Sequence, residues 1–277
     1  MITILLPTRK RVMALEKSLR SLIDNAKENP FIIFGVDDDD PDTLQFLQKF
    51  EYKNKMTIKF NPLGYTNLYK YINAMCNYVK TDWLMFWNDD AIMNTKHYDT
   101  IIESEKKFKL QRVKEQTGHP YSIFPILPHD WFKCLDRLSA QTHNDAWLSE
   151  IAYMLNIMKD IDVEVTHDRA DITGNNNDET FKFRKYNEGN PDDPNDLHHK
   201  DMVQRRFADA EKLAWFLERI GQTSVHWKKI TKKEIKPFAN LEKKFLEYQK
   251  TGAIGAGKQN AKTPDQGKIK VSYKDIP

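Results

Sequence analysis

The chain has 277 residues, 40% of them hydrophobic and 30% charged, with 43 Lys plus Arg against 40 Asp plus Glu and only two cysteines. That length suits one large domain or a domain with an appendage. Cys76 and Cys134 are too few for a disulfide framework or a zinc site, and no run approaches the ~20 apolar residues of a membrane span. The net charge of +3 hides a division: residues 226–277 hold 13 Lys and 5 acids, leaving 30 basic and 35 acidic residues before them. Basic residues follow the first short apolar run instead of preceding it, unlike a secretory leader, so a cytoplasmic protein is expected.

In chain order, residues 2–7 form a short apolar run that reads as a buried strand. Residues 12–26 follow with Leu15, Leu19, Leu22 and Ile23 at helical spacing. Residues 31–36 read as a second buried strand, running into Asp37-Asp38-Asp39-Asp40-Pro41. A short helix over 43–50, a strand over 56–60 and a helix over 68–79 come next. Residues 83–87, Trp-Leu-Met-Phe-Trp, form a third buried strand that delivers Asn88-Asp89-Asp90. Strands alternating with helices imply an α/β unit with a largely parallel sheet, whose ligands bind beyond the carboxyl ends of the strands.

Further on, a strand is expected over 121–127, a helix over 145–157 and a short strand over 163–166 that ends at His167. Residues 169–200 read as a long loop, able to close over a ligand as lids do. An amphipathic helix is expected over 195–220, and residues 251–277, rich in Gly, Lys and Gln, lack the apolar content for a core.

The polar clusters at the strand ends carry the chemistry. Adjacent carboxylates repel and are costly to bury unless a cation neutralises them, and hard cations such as Mg²⁺ and Mn²⁺ take oxygen ligands shared with substrate phosphates. Asp89 and Asp90 fit that role; an ordinary polar turn is the plain alternative. Asp37 and Asp38 can accept hydrogen bonds from a ribose or nucleobase, and Thr8, Arg9 and Arg11 can hold a base or diphosphate, arginine being suited to bidentate phosphate contact.

This order of elements resembles the GT-A fold glycosyltransferases, especially the large family 2-like group. The shared pattern appears as Pro7-Thr8-Arg9, Val36-Asp37-Asp38, Asn73, Thr81-Asp82-Trp83 and Asn88-Asp89-Asp90, over about residues 1–170. The resemblance implies an α/β fold of GT-A, Rossmann-like type, a mixed, mainly parallel sheet flanked by helices; the helical spacing over 195–220 adds a helical C-terminal extension. With the composition of the remainder, the chain divides into a GT-A-like catalytic domain over 1–185, a helical extension over 186–250 packing on it and a basic tail over 251–277. It implies transfer of a sugar from a nucleotide-sugar donor, a UDP-sugar being favoured, to an acceptor hydroxyl. The donor side would comprise Pro7, Thr8, Arg9, Arg11, Asp37, Asp38, Asn73, Asn88 and Asp89, with Asp90 and His167 holding Mn²⁺ or Mg²⁺. Asp145, in His143-Asn144-Asp145, falls where inverting members place the catalytic base; helix capping is its plain alternative. Asn88 departs from the Asp-x-Asp pattern, in which the first position is also Asp.

Two other classes compete. A nucleotidyltransferase acting on sugar phosphates would also use a metal, but would show a Gly-rich loop after the first strand, and residues 1–34 contain no glycine. A nucleic-acid-binding role would use the lysines of 226–277 with Trp227, Phe238, Phe245 and Tyr248. The two ideas combine in a glycosyltransferase whose acceptor is polyanionic, modified DNA included; a lipid-linked acceptor is a further alternative.

Overall fold

The computed structural model describes residues 1–62, 64–168, 196–197 and 199–222. Its centre is one eight-stranded sheet in the order β3-β2-β1-β4-β7-β6-β8-β5. β1 (Ile2–Thr8), β2 (Phe31–Asp37), β3 (Lys55–Phe60) and β4 (Trp83–Phe86) are all parallel. β5 (Ala91–Met93), β6 (Leu110–Glu115), β7 (Ile126–Pro128) and β8 (Met158–His167) complete the sheet; β7 runs antiparallel to β4 and β6, and β5 runs antiparallel to β8. This is the mixed, mainly parallel α/β architecture expected of the GT-A type.

Strand β1 is covered on both faces, so every residue but Pro7 is buried, and the one polar residue inside its apolar run, Thr3, bonds the Thr81 hydroxyl at 2.7 Å. Period-2 alternation sends Leu5 into one buried cluster and Ile4 and Leu6 into the other. On the second face lies α1 (Val12–Asn25), burying Leu15, Leu19 and Leu22 at helical spacing. α2 (Pro41–Lys49) starts where Asp40 accepts the Thr43 N–H at 3.2 Å, with Pro41 at the first helical position. α4 (Tyr98–Ser104) packs on this side through Tyr98 and Ile102.

The opposite face is covered by α3 (Leu68–Cys76), α5 (Asp130–Leu135), α6 (Asn144–Met154) and α7 (Lys200–Arg219). Met202, Phe207, Ala210, Leu213, Ala214 and Leu217 of α7 enter the same cluster as Trp131 and Trp147. The extension is therefore helical in its described part. Of the loop expected over 169–200 only 196–197 and 199–200 are described, with α7 starting at Lys200; residues 223–250 and the 251–277 tail lie outside the described residues.

The first 90 residues follow the sequence expectation closely, although α3 stops at Cys76, three residues short. The centre departs more. Of the strand expected over 121–127 only Ile126 and Leu127 are in a strand, β7, because the upstream backbone is held by side chains. Ser122 N–H donates to Ser149 Oγ at 2.8 Å, and the Pro120 carbonyl accepts from Arg112 at 2.5 Å. The helix expected to reach residue 157 ends at Met154, and Asn156 takes a left-handed conformation (φ 53°). Conversely, the short strand over 163–166 extends to ten residues. In β8, Ile161, Val163, Val165 and His167 point inward while Asp160, Asp162, Glu164 and Thr166 point out.

Candidate active site

The site is assembled at the carboxyl ends of β1, β2 and β4, joined by the end of β8. Two clusters form there. The first is organised by Arg9, whose Nη1 lies 2.6 Å from Asp37 Oδ2 and whose Nη2 lies 2.8 Å from Asp39 Oδ2. The hydrogen bond from Arg9 holds the Asp39 carboxyl below the ordinary carboxylate range. Asp37 is buried and also accepts the Tyr71 hydroxyl, whose ring packs 4.5 Å from Phe60. Asp40 accepts the Lys10 N–H at 2.6 Å, fixing the loop after β1, where Lys10 has a left-handed backbone (φ 54°). Asp38 is exposed beside this cluster, its N–H continuing the ladder to the Phe60 carbonyl at 2.8 Å.

The second cluster is built on the turn after β4. Asp89 accepts the Thr8 hydroxyl at 2.7 Å and Arg11 Nη1 at 3.0 Å, and Arg11 also lies 3.5 Å from Asp90 Oδ2. The β5–β8 register pairs Ala91 with His167, which brings the imidazole beside Asp90. His167 Nε2 is 3.1 Å from Asp90 Oδ1 and 3.3 Å from Asn88 Nδ2. Reciprocal bonds between the Gln116 side chain and the His167 backbone, at 2.9 and 2.6 Å, fix that strand end. Phe124 meets the imidazole edge-on, with centroids 5.0 Å apart.

Burial pushes the Asp89 carboxyl up to about 6, against the opposing charge of Arg11. For Asp90, burial pulls the same way but is outweighed: the hydrogen bond with His167 and the charges of His167 and Arg11 hold it below the usual range. The buried pair is therefore asymmetric, with Asp90 the more strongly ionised member.

Asp90 and His167 fit a divalent cation. Their Oδ1 and Nε2 atoms are separated by about the spacing of adjacent donors in an octahedron with bonds near 2.1 Å. Among the described residues no group of three or more His, Cys, Asp or Glu side chains converges for a metal. An ion here would draw its remaining ligands from water and substrate oxygens, the usual arrangement for Mg²⁺ with phosphates.

A third region lies beyond α3. The Asn73 side chain accepts Leu138 N–H at 2.8 Å and Ser139 N–H at 3.4 Å, and donates to the Ser139 carbonyl at 2.8 Å. Asn73 thus shapes the segment leading to α6. Asp145 sits half-buried in the first turn of α6, whose cap residue is His143, with no side-chain capping bond. Tyr71, Asp39, Asp40 and Gln116 belong to the site region but carried no sequence signal of their own. Only the acidic run after β2 hinted at Asp39 and Asp40.

Residues 3–109 match the family model Glycosyl transferase family 2. Among curated proteins, none matches the chain. Among solved structures, residues 1–349 of S. aureus TarS in complex with UDP-GlcNAc superpose with a TM-score of 0.54. That match has 15% identity and covers 89% of this chain and 81% of that one. A mannosyltransferase from Pyrobaculum calidifontis, in complex with GDP-Man and Mn²⁺, gives 0.51 at 8% identity, covering 90% and 82%. Against the longer S. aureus TarS structure the TM-score is 0.48 at 13% identity; the match takes in 89% of this chain, which spans about half of that one. The two likenesses with TM-scores above 0.5 show the fold, which is of GT-A type, and residues 3–109 are similar to Glycosyl transferase family 2. Among the described residues, no helix is long and apolar enough to cross a membrane.

Proposed function

We propose that the chain is a metal-dependent, inverting glycosyltransferase that takes its sugar from a nucleotide-sugar donor, a UDP-sugar being favoured. The observation that carries this reading is the Asp90–His167 donor pair set beside Arg11 at the carboxyl edge of the sheet. The family match and the UDP-GlcNAc and GDP-Man of the neighbouring structures support the donor class.

Pro7, Thr8, Arg9, Asp37 and Asp38 line the nucleoside side, where the buried Asp37 and the Arg9 fork offer an acceptor and donors in fixed positions. Arg11, Asn88 and Asp89 face the diphosphate and sugar, and Asn73 acts through the backbone of 138–139. A Mn²⁺ or Mg²⁺ held by Asp90 and His167 would neutralise charge on the leaving diphosphate. Arg11 supplies a second positive charge there, released from Asp89 and Asp90 as the donor enters. Asp145 accepts the proton of the acceptor hydroxyl as that oxygen attacks the anomeric carbon from the face opposite the nucleotide. The 13 lysines of 226–277 support a polyanionic acceptor over a neutral one.

The test is hydrolysis of UDP-GlcNAc and GDP-mannose, with water as the acceptor, in Mn²⁺, Mg²⁺ or EDTA. Hydrolysis of one donor that needs the cation is expected. Asp145→Asn should lower turnover by about 10²–10⁴-fold with UDP affinity intact. UDP affinity that ignores both EDTA and Asp90→Asn removes the metal assignment, and full turnover by Asp145→Asn removes the base.

A further inference from the structure

The side chain of Asp209 is fully buried on α7, far along the chain from the acidic turns. Its Oδ1 accepts Arg137 Nη2 at 2.6 Å and its Oδ2 accepts the Trp147 indole N–H at 3.2 Å. Those partners bracket one segment: Arg137 just precedes it and Trp147 lies in the first turns of α6. Between them, Asn73 holds Leu138 and Ser139, Ser139 Oγ donates to the Gln141 carbonyl at 2.6 Å, and Gln141 Oε1 accepts His143 N–H at 2.8 Å. Thr142 Oγ1 donates to the Thr66 carbonyl at 2.6 Å. One turn on, Arg206 of α7 lies 2.6 Å from Glu150 and stacks 5.2 Å from the Trp147 ring centre, with both charged groups buried.

An apolar α6–α7 contact would hold the helices together but leave rotation and axial slip soft. A carboxylate that bonds both flanks of a segment fixes both, since each bond has a required direction. A buried charge is costly unless its geometry is satisfied, so the arrangement resists displacement of either partner. Asp145 and Trp147 are two residues apart, about 200° around the helix. Asp209 therefore grips the side of α6 away from Asp145.

We propose that Asp209 is a positioning residue: by holding Arg137 and the Trp147 indole together it sets the placement of the first turn of α6 and, with it, of Asp145. This rests on the assignment of Asp145 as the base. A helix turn displaced by about 1 Å is enough to cost a reaction up to about a hundredfold.

Two variants test it, Asp209→Asn, which keeps the size, and Trp147→Phe, which removes the indole N–H together with the pyrrole part of the ring system and keeps a smaller aromatic ring in the pocket. Each is assayed for hydrolysis of UDP-GlcNAc and GDP-mannose with Mn²⁺, for UDP affinity with Mn²⁺, and for amide exchange in 144–148. Expected are faster exchange in that turn and a kcat lowered about tenfold or more, with KM and UDP affinity within about twofold of the parent. Placed on Asp145→Asn, the same changes should lower kcat no further. Wild-type kcat in both variants, losses of kcat that persist undiminished on Asp145→Asn, or parallel losses of kcat and UDP affinity would overturn the proposal. A fully active Asp145→Asn refutes the base itself, and the positioning role with it. A crippled Asp145→Asn beside fully active Asp209→Asn and Trp147→Phe refutes the positioning role alone.

Discussion

Burial sets the charge state of three carboxylates differently, and the difference lies in what each one faces. Asp89 and Asp209 are both pushed up by burial, although each has an arginine within 3.0 Å. Asp90 is pulled down because His167 and Arg11 act on it together. For Asp209 this has a measurable consequence for stability. With its folded value above the ordinary 3.8, the folded chain binds more protons than the unfolded one. Its contribution is therefore fully present below pH 3.8 and is lost as pH rises from there through the folded value. The Tm of the wild type minus that of Asp209→Asn should accordingly fall as pH is raised from 4 to 7. A pH-independent difference would mean that Asp209 is ionised in both states. The acids at strand ends were readable because a buried strand followed by carboxylates demands a partner. Asp209 was not: in the sequence it is one more acid on a helix of charged residues, and only the fold shows that no solvent reaches it.

The acidic turn after β4 is held by one helix. On α1, Ser18 Oγ accepts the Trp87 indole N–H at 2.7 Å and donates to the Asn88 carbonyl at 3.2 Å. Ser21 Oγ accepts the Met93 N–H at 3.0 Å, and Asn25 Nδ2 donates to the Met93 carbonyl at 2.7 Å. These polar residues stand at i, i+3 and i+7, interleaved with Leu15, Leu19 and Leu22 on the buried side of the helix. In the sequence they look like the edge of a solvated face; in the fold they brace both ends of the turn that carries Asp89 and Asp90. Ser18→Ala leaves the buried indole N–H without its acceptor. It should cost about 1–3 kcal/mol in urea unfolding. It should also weaken cation-dependent UDP binding, since the Asn88 carbonyl is left with the Ala91 N–H at 3.2 Å and loses its tie to α1; unchanged urea midpoint and affinity would show that the brace is dispensable. The same contrast accounts for the elements that periodicity did not show. β5, α4, β6 and α5 have three, seven, six and six residues, too few to display a clear period, and they persist because β8 and α7 pack against them.

At the scale of the molecule, the division of charge falls near the end of the described fold. The parallel half of the sheet was legible because β1, β2 and β4, covered on both faces, are mostly apolar, while the edge strand β3 alternates. The half built from β5 to β8 was less so, because β5 and β7 have three residues each and β6 carries Gln111, Arg112 and Lys114 among its apolar residues. Among the described residues the last members of the two buried clusters are Leu217 and Val165, and Gln222 accepts the Phe108 N–H at 3.1 Å. Residues 223–225 are uncharged, so a chain ending at Gln222 carries the whole acidic balance of −5 and none of the 13 lysines of 226–277. That chain retains every contact described above. It should melt cooperatively within a few degrees of the full chain and bind UDP with Mn²⁺ equally well. Affinity of the full chain for a polyanion such as duplex DNA or heparin should fall steeply with salt, since each neutralised phosphate releases counterions. The shortened chain, negative overall, should show no such binding. Equal, salt-sensitive binding by both chains would place the polyanion contact on the sheet edge with Arg9 and Arg11 and take the acceptor role away from the basic run.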